Sequence, residues 1–236
     1  MNKRLSTILD ATQGSSPVIA TPGSGAPHAT SGGTTLLAQI RPAIFMMALF
    51  TLLLGGVYPL LITGVAQVAF PSAANGSLVS RNGTVVGSIL IGQNFTSDKY
   101  FQGRPSATSG PDPSDSSKTV SQPYNADNST GSNLGPTSKP LVDRITASID
   151  DLRKQDVVGD IPADAVTTSA SGLDPDISPA YASLQVARIA KARNLSEDQV
   201  KAVVGAQTTN RLAGIIGEPH INVLALNLAL DAAQLK

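Results

Sequence analysis

One uncharged apolar run constrains this chain more than anything else in it. From Ala43 to Phe70 it reads AIFMMALFTLLLGGVYPLLITGVAQVAF, 28 residues without Asp, Glu, Lys or Arg. As a helix rising 1.5 Å per residue it would reach about 42 Å, more than the roughly 30 Å hydrocarbon core of a bilayer. Core helices of soluble domains seldom stay apolar on every face for such a length. A cleaved signal peptide is the competing reading, but its apolar region is only about 7–15 residues and ends at a small-x-small site. No clean site of that kind surrounds Phe70 and Pro71. The sequence therefore predicts one uncleaved transmembrane helix over residues 41–70.

Charge predicts its direction. Lys3, Arg4 and Arg41 precede the run against the single acid Asp10, and the first charge beyond it is Arg81. Basic flanks are retained in the cytoplasm. The N-terminus is thus expected inside, and the C-terminal bulk in the periplasm or outside the cell. Within the run, Gly55, Gly56, Pro59 and Gly64 allow two readings. Gly and Pro are simply commoner in spanning helices, or they form a face on which another membrane helix docks.

Residues 1–40 are predicted to be a disordered cytoplasmic tail, because 1–35 are rich in Ser, Thr, Gly, Ala and Pro and cannot bury enough apolar surface to offset ordering. A short amphipathic helix around Leu5 to Leu9 is the one local exception. Residues 71–236 have the length of one domain. Thr84 to Ile91 (TVVGSILI) is β-branched and reads as a strand. Residues 106–139 are polar and irregular, longer than an ordinary loop, and so either functional or mobile.

Helix signals gather towards the C-terminus. Pro140 suits the start of a helix over 140–154, with Leu141, Ile145, Ile149 and Leu152 as its apolar stripe. Ser178 before Pro179 starts a helix over 179–193, which Asn194 can end. Ser196 and Gln199 form a capping box for a helix over about 197–208, and Leu195 can pack on Val200 as its staple. A last helix is expected over Val223 to Ala233, behind Asn222. These elements predict an α+β domain with a small sheet near 84–92 and 164–169.

The chemistry-bearing residues are sparse. Cysteine is absent, which excludes disulfides and thiolate sites, and the two histidines, His28 and His220, lack ligand spacing. Beyond the apolar run 14 Lys and Arg face 16 Asp and Glu, too even a balance for a nucleic-acid surface. No phosphate-binding Gly-rich loop, nucleophile elbow or HExxH zinc motif occurs. Asp174 and Asp176 in SGLDPDISP could be a carboxylate pair, although Asp-Pro turns and caps use the same residues. Asp150 and Asp151 read as a solvated helix face. The five Asn-x-Ser/Thr sequons, such as that at Asn94, are explained by turn chemistry. A hydrolase using Ser171 and Asp174 lacks a base, unless His220 from another segment supplies one. A membrane-tethered sensor module is a further reading.

Nine runs go beyond loop filler. They are RPAIF (41–45), YPLLITGVAQ (58–67), FPSAANGSL (70–78), VGSILIGQNF (86–95), KYFQGRPSAT (99–108), GSNLGPTSKPL (131–141), TTSASGLDPDISP (167–179), LQVARIAKARNLS (184–196) and INVLALNLALD (221–231). In this order and spacing they closely resemble the C subunit of the Kdp potassium-transporting P-type ATPase, the KdpC family. The first 35 residues lie outside the resemblance.

The resemblance implies an accessory subunit of a high-affinity, ATP-driven potassium uptake pump in the bacterial inner membrane. Its implied partners are a channel-like potassium-translocating subunit and a P-type ATPase subunit. No active site or intrinsic cofactor of its own is expected, since ATP and potassium are handled by the assembled complex; the Asp-Lys-Thr-Gly phosphorylation motif is indeed missing here. One role implied for such a subunit is a catalytic chaperone that raises the ATPase subunit's affinity for ATP, with Gln185 in SLQVAR touching nucleotide. The topology above places Gln185 outside the cell. There the alternative is a helix residue that hydrogen-bonds a neighbouring loop. Another role is a domain over the channel entrance, where Asp112, Asp115 and Asp127 would concentrate cations.

Overall fold

The computed structural model describes residues 36–155 and 157–234. Residues 1–35 of the predicted tail, with the short helix at Leu5–Leu9, lie outside them; residues 36–40, assigned to the same tail, are helical. The chain divides into two compact units between Tyr58 and Pro59.

The apolar run is helical, from α1 (Leu36–Leu52) through a π-helical turn (Leu53–Val57) into α2 (Tyr58–Ala69). Helix begins five residues ahead of the predicted span, since nothing in LLAQI opposes it. The wide turn has a local cause. Pro59 carries no N–H, and its ring crowds the carbonyl four residues earlier. The backbone just before it loosens, and the Tyr58 N–H reaches back five residues to the Leu53 carbonyl. Residues Leu37 through Phe70 are almost all exposed, Gly56 and Ala66 being the partly covered exceptions.

After Phe70 the chain turns through α3 (Pro71–Ala74) into a hairpin, β1 (Leu78–Arg81) and β2 (Thr84–Ser88). Asn82 and Gly83 make its two-residue turn with φ of 52° and 79°. A right-twisted hairpin needs positive φ at both of those positions, which Asn-Gly supplies. The predicted strand 84–91 ends earlier, at Ser88, where Ser88 Oγ accepts Leu90 N–H at 3.1 Å and a turn begins. A second hairpin, β3 (Ser109–Asp112) and β4 (Asp115–Ser121), occupies part of the polar 106–139 stretch.

The helices fall close to their predicted ends. In α4 (Lys139–Lys154), the Ser138 side chain caps Leu141 N–H. In α5 (Pro179–Arg193), Ser178 caps Tyr181 N–H, and Asn194 ends the helix in the left-handed region at φ 56°. The capping box of α6 (Glu197–Gln207) is present in both directions. The last helix, α7 (Val223–Gln234), starts where Asn222 Oδ1 accepts Ala225 N–H at 3.1 Å.

The predicted strand at 164–169 is not one. Ala163–Ala165 form a 3₁₀ turn, and the third sheet is built instead from β5 (Asp176–Ile177), β6 (Thr208–Thr209) and β7 (His220–Asn222), in the order β5-β7-β6 and antiparallel throughout. Helices α5, α6 and α7 pack on one another and on this sheet. Val186, Ile189, Val200, Ile221, Leu226 and Leu230 make the centre of the core, with Phe101 from a non-helical segment inserted among them. Ile145, Ile149 and Leu152 of α4 lie against its edge, as their stripe predicts. The chain is α+β, with one long apolar helix ahead of the folded region.

Candidate functional site

The segment Asp98–Arg104, Asp98 followed by most of the KYFQGRP run, belongs to neither helix nor strand. Buried peptide groups cannot go unpaired without costing about a hydrogen bond each. Here side chains supply the partners, nearly one peptide at a time. Arg188 Nη1 donates to Asp98 O at 2.7 Å and its Nη2 to Tyr100 O at 3.1 Å. Arg193 Nε donates to Lys99 O at 2.6 Å. Asn227 accepts Phe101 N–H at 2.8 Å and donates to Phe101 O at 2.9 Å. Gln185 does the same for the next residue, accepting Gln102 N–H at 2.8 Å and donating to Gln102 O at 3.0 Å. Tyr124 Oη donates to Arg104 O at 2.7 Å.

Helical phase makes this possible. Tyr181, Gln185 and Arg188 recur at intervals of four and three along α5, so they share one face. That face meets the gripped segment and lines a groove of about 600 Å³, together with Leu152, Leu184, Gln102 and Lys191. Gln185 is 5% exposed, and its Oε1 also accepts from Arg188 Nη2 at 2.8 Å. The structure places the sequence-predicted nucleotide residue here, with both ends of its carboxamide on the Gln102 peptide. Burial lowers the Arg188 pKa from its usual value and pushes the Tyr181 hydroxyl up to about 12.

A second cluster ties the segment to the C-terminal helix. Asp231 receives Arg193 Nη2 at 2.9 Å, Arg81 Nη1 at 2.7 Å and the Tyr100 hydroxyl at 3.3 Å. The Arg193 guanidinium stacks 4.9 Å over the Tyr100 ring. Burial pushes the Asp231 carboxyl up, but the hydrogen bonds from Arg193 and Arg81 outweigh it and the net shift is downward.

The Asp174–Asp176 pair is divided among structural partners. Asp174 binds Arg104 at 3.0 Å and accepts Asp176 N–H at 3.1 Å, and Asp176 accepts from Asn222 at 3.2 Å. Burial raises the Asp176 pKa despite that bond. Ser171 Oγ accepts Leu173 N–H, and His220 Nδ1 lies 2.9 Å from Glu218 O. No hydrogen bond among the described residues joins Ser171, Asp174 and His220. Asp112 and Asp115 sit at the tip of the second hairpin, where Ser114 and Ser117 lower their pKa values; Asp115 is also paired with Lys118 at 3.0 Å.

The polar stretch around that hairpin is held by hydroxyls. Thr108 Oγ1 donates to Gln122 O at 2.6 Å, and Ser106 Oγ to Gly172 O at 2.7 Å. Sequence reasoning missed the grips of Asn227, Arg193 and Arg188, because each binds a partner about ninety to a hundred and thirty residues away.

This is a domain whose buried polar residues, Gln185, Arg193 and Asn227, serve its own backbone. The family model described as "K+-transporting ATPase, c chain" matches residues 40–232. The Potassium-transporting ATPase KdpC subunit of Bradyrhizobium diazoefficiens is 57% identical over 201 residues, covering 85% of this chain and 100% of its own. That of Rhodopseudomonas palustris is 58% identical over 199 residues, covering 84% and 100%. That of Methylobacterium nodulans is 57% identical over 196 residues, covering 83% and 98%. The chain belongs to the KdpC family.

Proposed function

We propose that this chain is the accessory subunit of an ATP-driven potassium uptake pump in the bacterial inner membrane. Helix α1–α2 crosses the bilayer once with the N-terminus cytoplasmic, and the α+β domain folds on the far side. Its partners are a channel-like potassium-translocating subunit and a P-type ATPase subunit, and its work is to stabilise their assembly. The observation that carries this is family membership over residues 40–232, in a chain whose apolar helix of 33 residues exceeds bilayer thickness. Detergent extraction of tagged full-length chain from native membranes tests it. Both large subunits are expected in fixed ratio. Recovery of the chain alone, under conditions that preserve other membrane complexes, would overturn it.

For Gln185 we propose a positioning role, holding the Gln102 peptide under α5. Its carboxamide oxygen and nitrogen are both bonded to the Gln102 peptide, and the oxygen also to Arg188. Gln185→Ala is then expected to lower domain stability and leave the pump's KM for ATP unchanged. A raised KM with unchanged stability would instead support the catalytic-chaperone role. Neutralising Asp112, Asp115 and Asp127 together is expected to raise the potassium concentration for half-maximal ATPase activity. An unchanged value removes cation concentration from their role.

A further inference from the structure

We propose that the β1–β2 hairpin is a second membrane contact, a lipid-facing ledge lying in the headgroup region of the leaflet where α2 ends. This rests on the membrane-spanning reading of the helix and goes beyond it.

Hydrogen bonds fix the hairpin to the end of that helix. Asn75 Nδ2 donates to Gln67 Oε1 in the last turns of α2 at 3.0 Å, and to Pro71 O at 2.7 Å. Ser77 N–H donates to Ser72 O at 2.9 Å, Ile89 N–H to Ser77 O at 3.3 Å, and Ser88 Oγ to Gly76 O at 2.7 Å. No free linker separates the helix from β1.

One face of the hairpin is covered and the other is not. Val86 points inwards beside Gln93 and Leu224. Leu78 at 57%, Val85 at 53% and Leu90 at 59% exposure face outwards, with Ile89 and Ile91 beside them. Pairing aligns Val85 with Ser80 and Leu78 with Ser88, which brings the two strands' outward aliphatic residues onto one side. An exposed aliphatic patch of this kind marks an interaction surface.

Charge selects the occupant. From residue 42 to residue 97 the sole charged side chain is Arg81, and it is paired with Asp231 at 2.7 Å. Serine, threonine and asparagine fill the remaining outward positions, so no ion has to be desolvated for this face to enter the interface between headgroups and acyl chains. A protein-docking centre draws instead on Trp, Tyr and Arg anchors. The outward face of this hairpin carries none.

The chain has no Trp, so a single introduced indole reports alone. Leu90→Trp, Val85→Trp and, as a reference within the helix, Leu60→Trp are reconstituted as full-length chains. The vesicles are phosphatidylcholine and phosphatidylglycerol, with and without chain-brominated phosphatidylcholine. Burial about 5–10 Å into the interface predicts about twofold quenching and a blue shift at 90 and 85. Quenching at 60 with none at 90 or 85 overturns the ledge and leaves the anchor standing. No quenching at 60 overturns the anchor, and the ledge with it. Quenching at 90 that disappears in the assembled complex also overturns the ledge, assigning this face to a protein partner.

Discussion

Asn227 and Phe101, 126 residues apart, meet as if they were neighbours in a sheet: the carboxamide accepts the Phe101 N–H at 2.8 Å and donates to its carbonyl at 2.9 Å. Both groups are buried, so neither bond can be replaced by solvent.

Asn227→Asp follows from that geometry. A carboxylate still accepts from the Phe101 N–H but sets its second oxygen against the Phe101 carbonyl. Burial raises this carboxyl's folded pKa above its unfolded value. The destabilisation is therefore fullest above the folded pKa and is relieved as pH falls through it, when the protonated oxygen can donate. Urea melts from neutral to mildly acidic pH should show the variant's deficit shrinking on acidification. Asn227→Ala should show a pH-independent loss of about 1–3 kcal/mol for each unpaired group.

The cluster at Asp231 should respond unequally to its two arginines. Arg81 is 39% exposed, and its removal is expected to cost about 0–1 kcal/mol. Arg193 is 3% exposed, so Asp231→Ala takes the carboxylate from a buried cation and is expected to cost clearly more than the loss of Arg81. Chemical denaturation of both variants checks the ratio. The net lowered Asp231 pKa adds stability present above its unfolded value, near 3.8, and lost as pH falls through the lower folded value. A wild-type stability profile below pH of about 4 should lose that contribution, and Asp231→Asn should not.

Asp176 has the opposite sign. Burial raises its folded pKa, so its ionised form weakens the fold above that value and the penalty fades as pH falls through it. Asp176→Asn keeps an acceptor for Asn222 and removes the charge. Its Tm should exceed wild type at neutral pH and converge with it in acid.

Gly172 adopts φ 67°, and a Cβ placed there would come within 2.5 Å of Thr108 Cγ2 and 2.6 Å of the Thr130 carbonyl. Gly172→Ala therefore combines a left-handed backbone cost of about 1–2 kcal/mol with a clash against peptide that cannot move freely. Asn194→Gly, in the open left-handed end of α5, should be nearly neutral by the same melt.

Helix ends were legible because their causes are local: Ser138, Ser178 and Ser196 each cap an amide three residues on. Sheets were not. Strands β5 and β6 are two residues each, too short to show alternation, and their pairing with β7 joins Asp176 to Asn222 and Thr208 to Ile221. Thr84–Ile91 has the composition of one strand, yet Ser88 Oγ accepts Leu90 N–H and turns the chain. The family was readable from ordered motifs. The reason the KYFQGRP motif has its partners was not, since helical spacing shows that Gln185 and Arg188 share a face but not what lies beneath it.

The gripped segment also sets an order of events in folding. Its bonds to Gln185, Arg193 and Asn227 span 83, 94 and 126 residues. Contacts so distant along the chain carry a large loop-closure cost and are expected to close late. Truncating Asn227 should then hasten unfolding far more than it slows refolding, making Asp98–Arg104 the keystone set last and the first to leave.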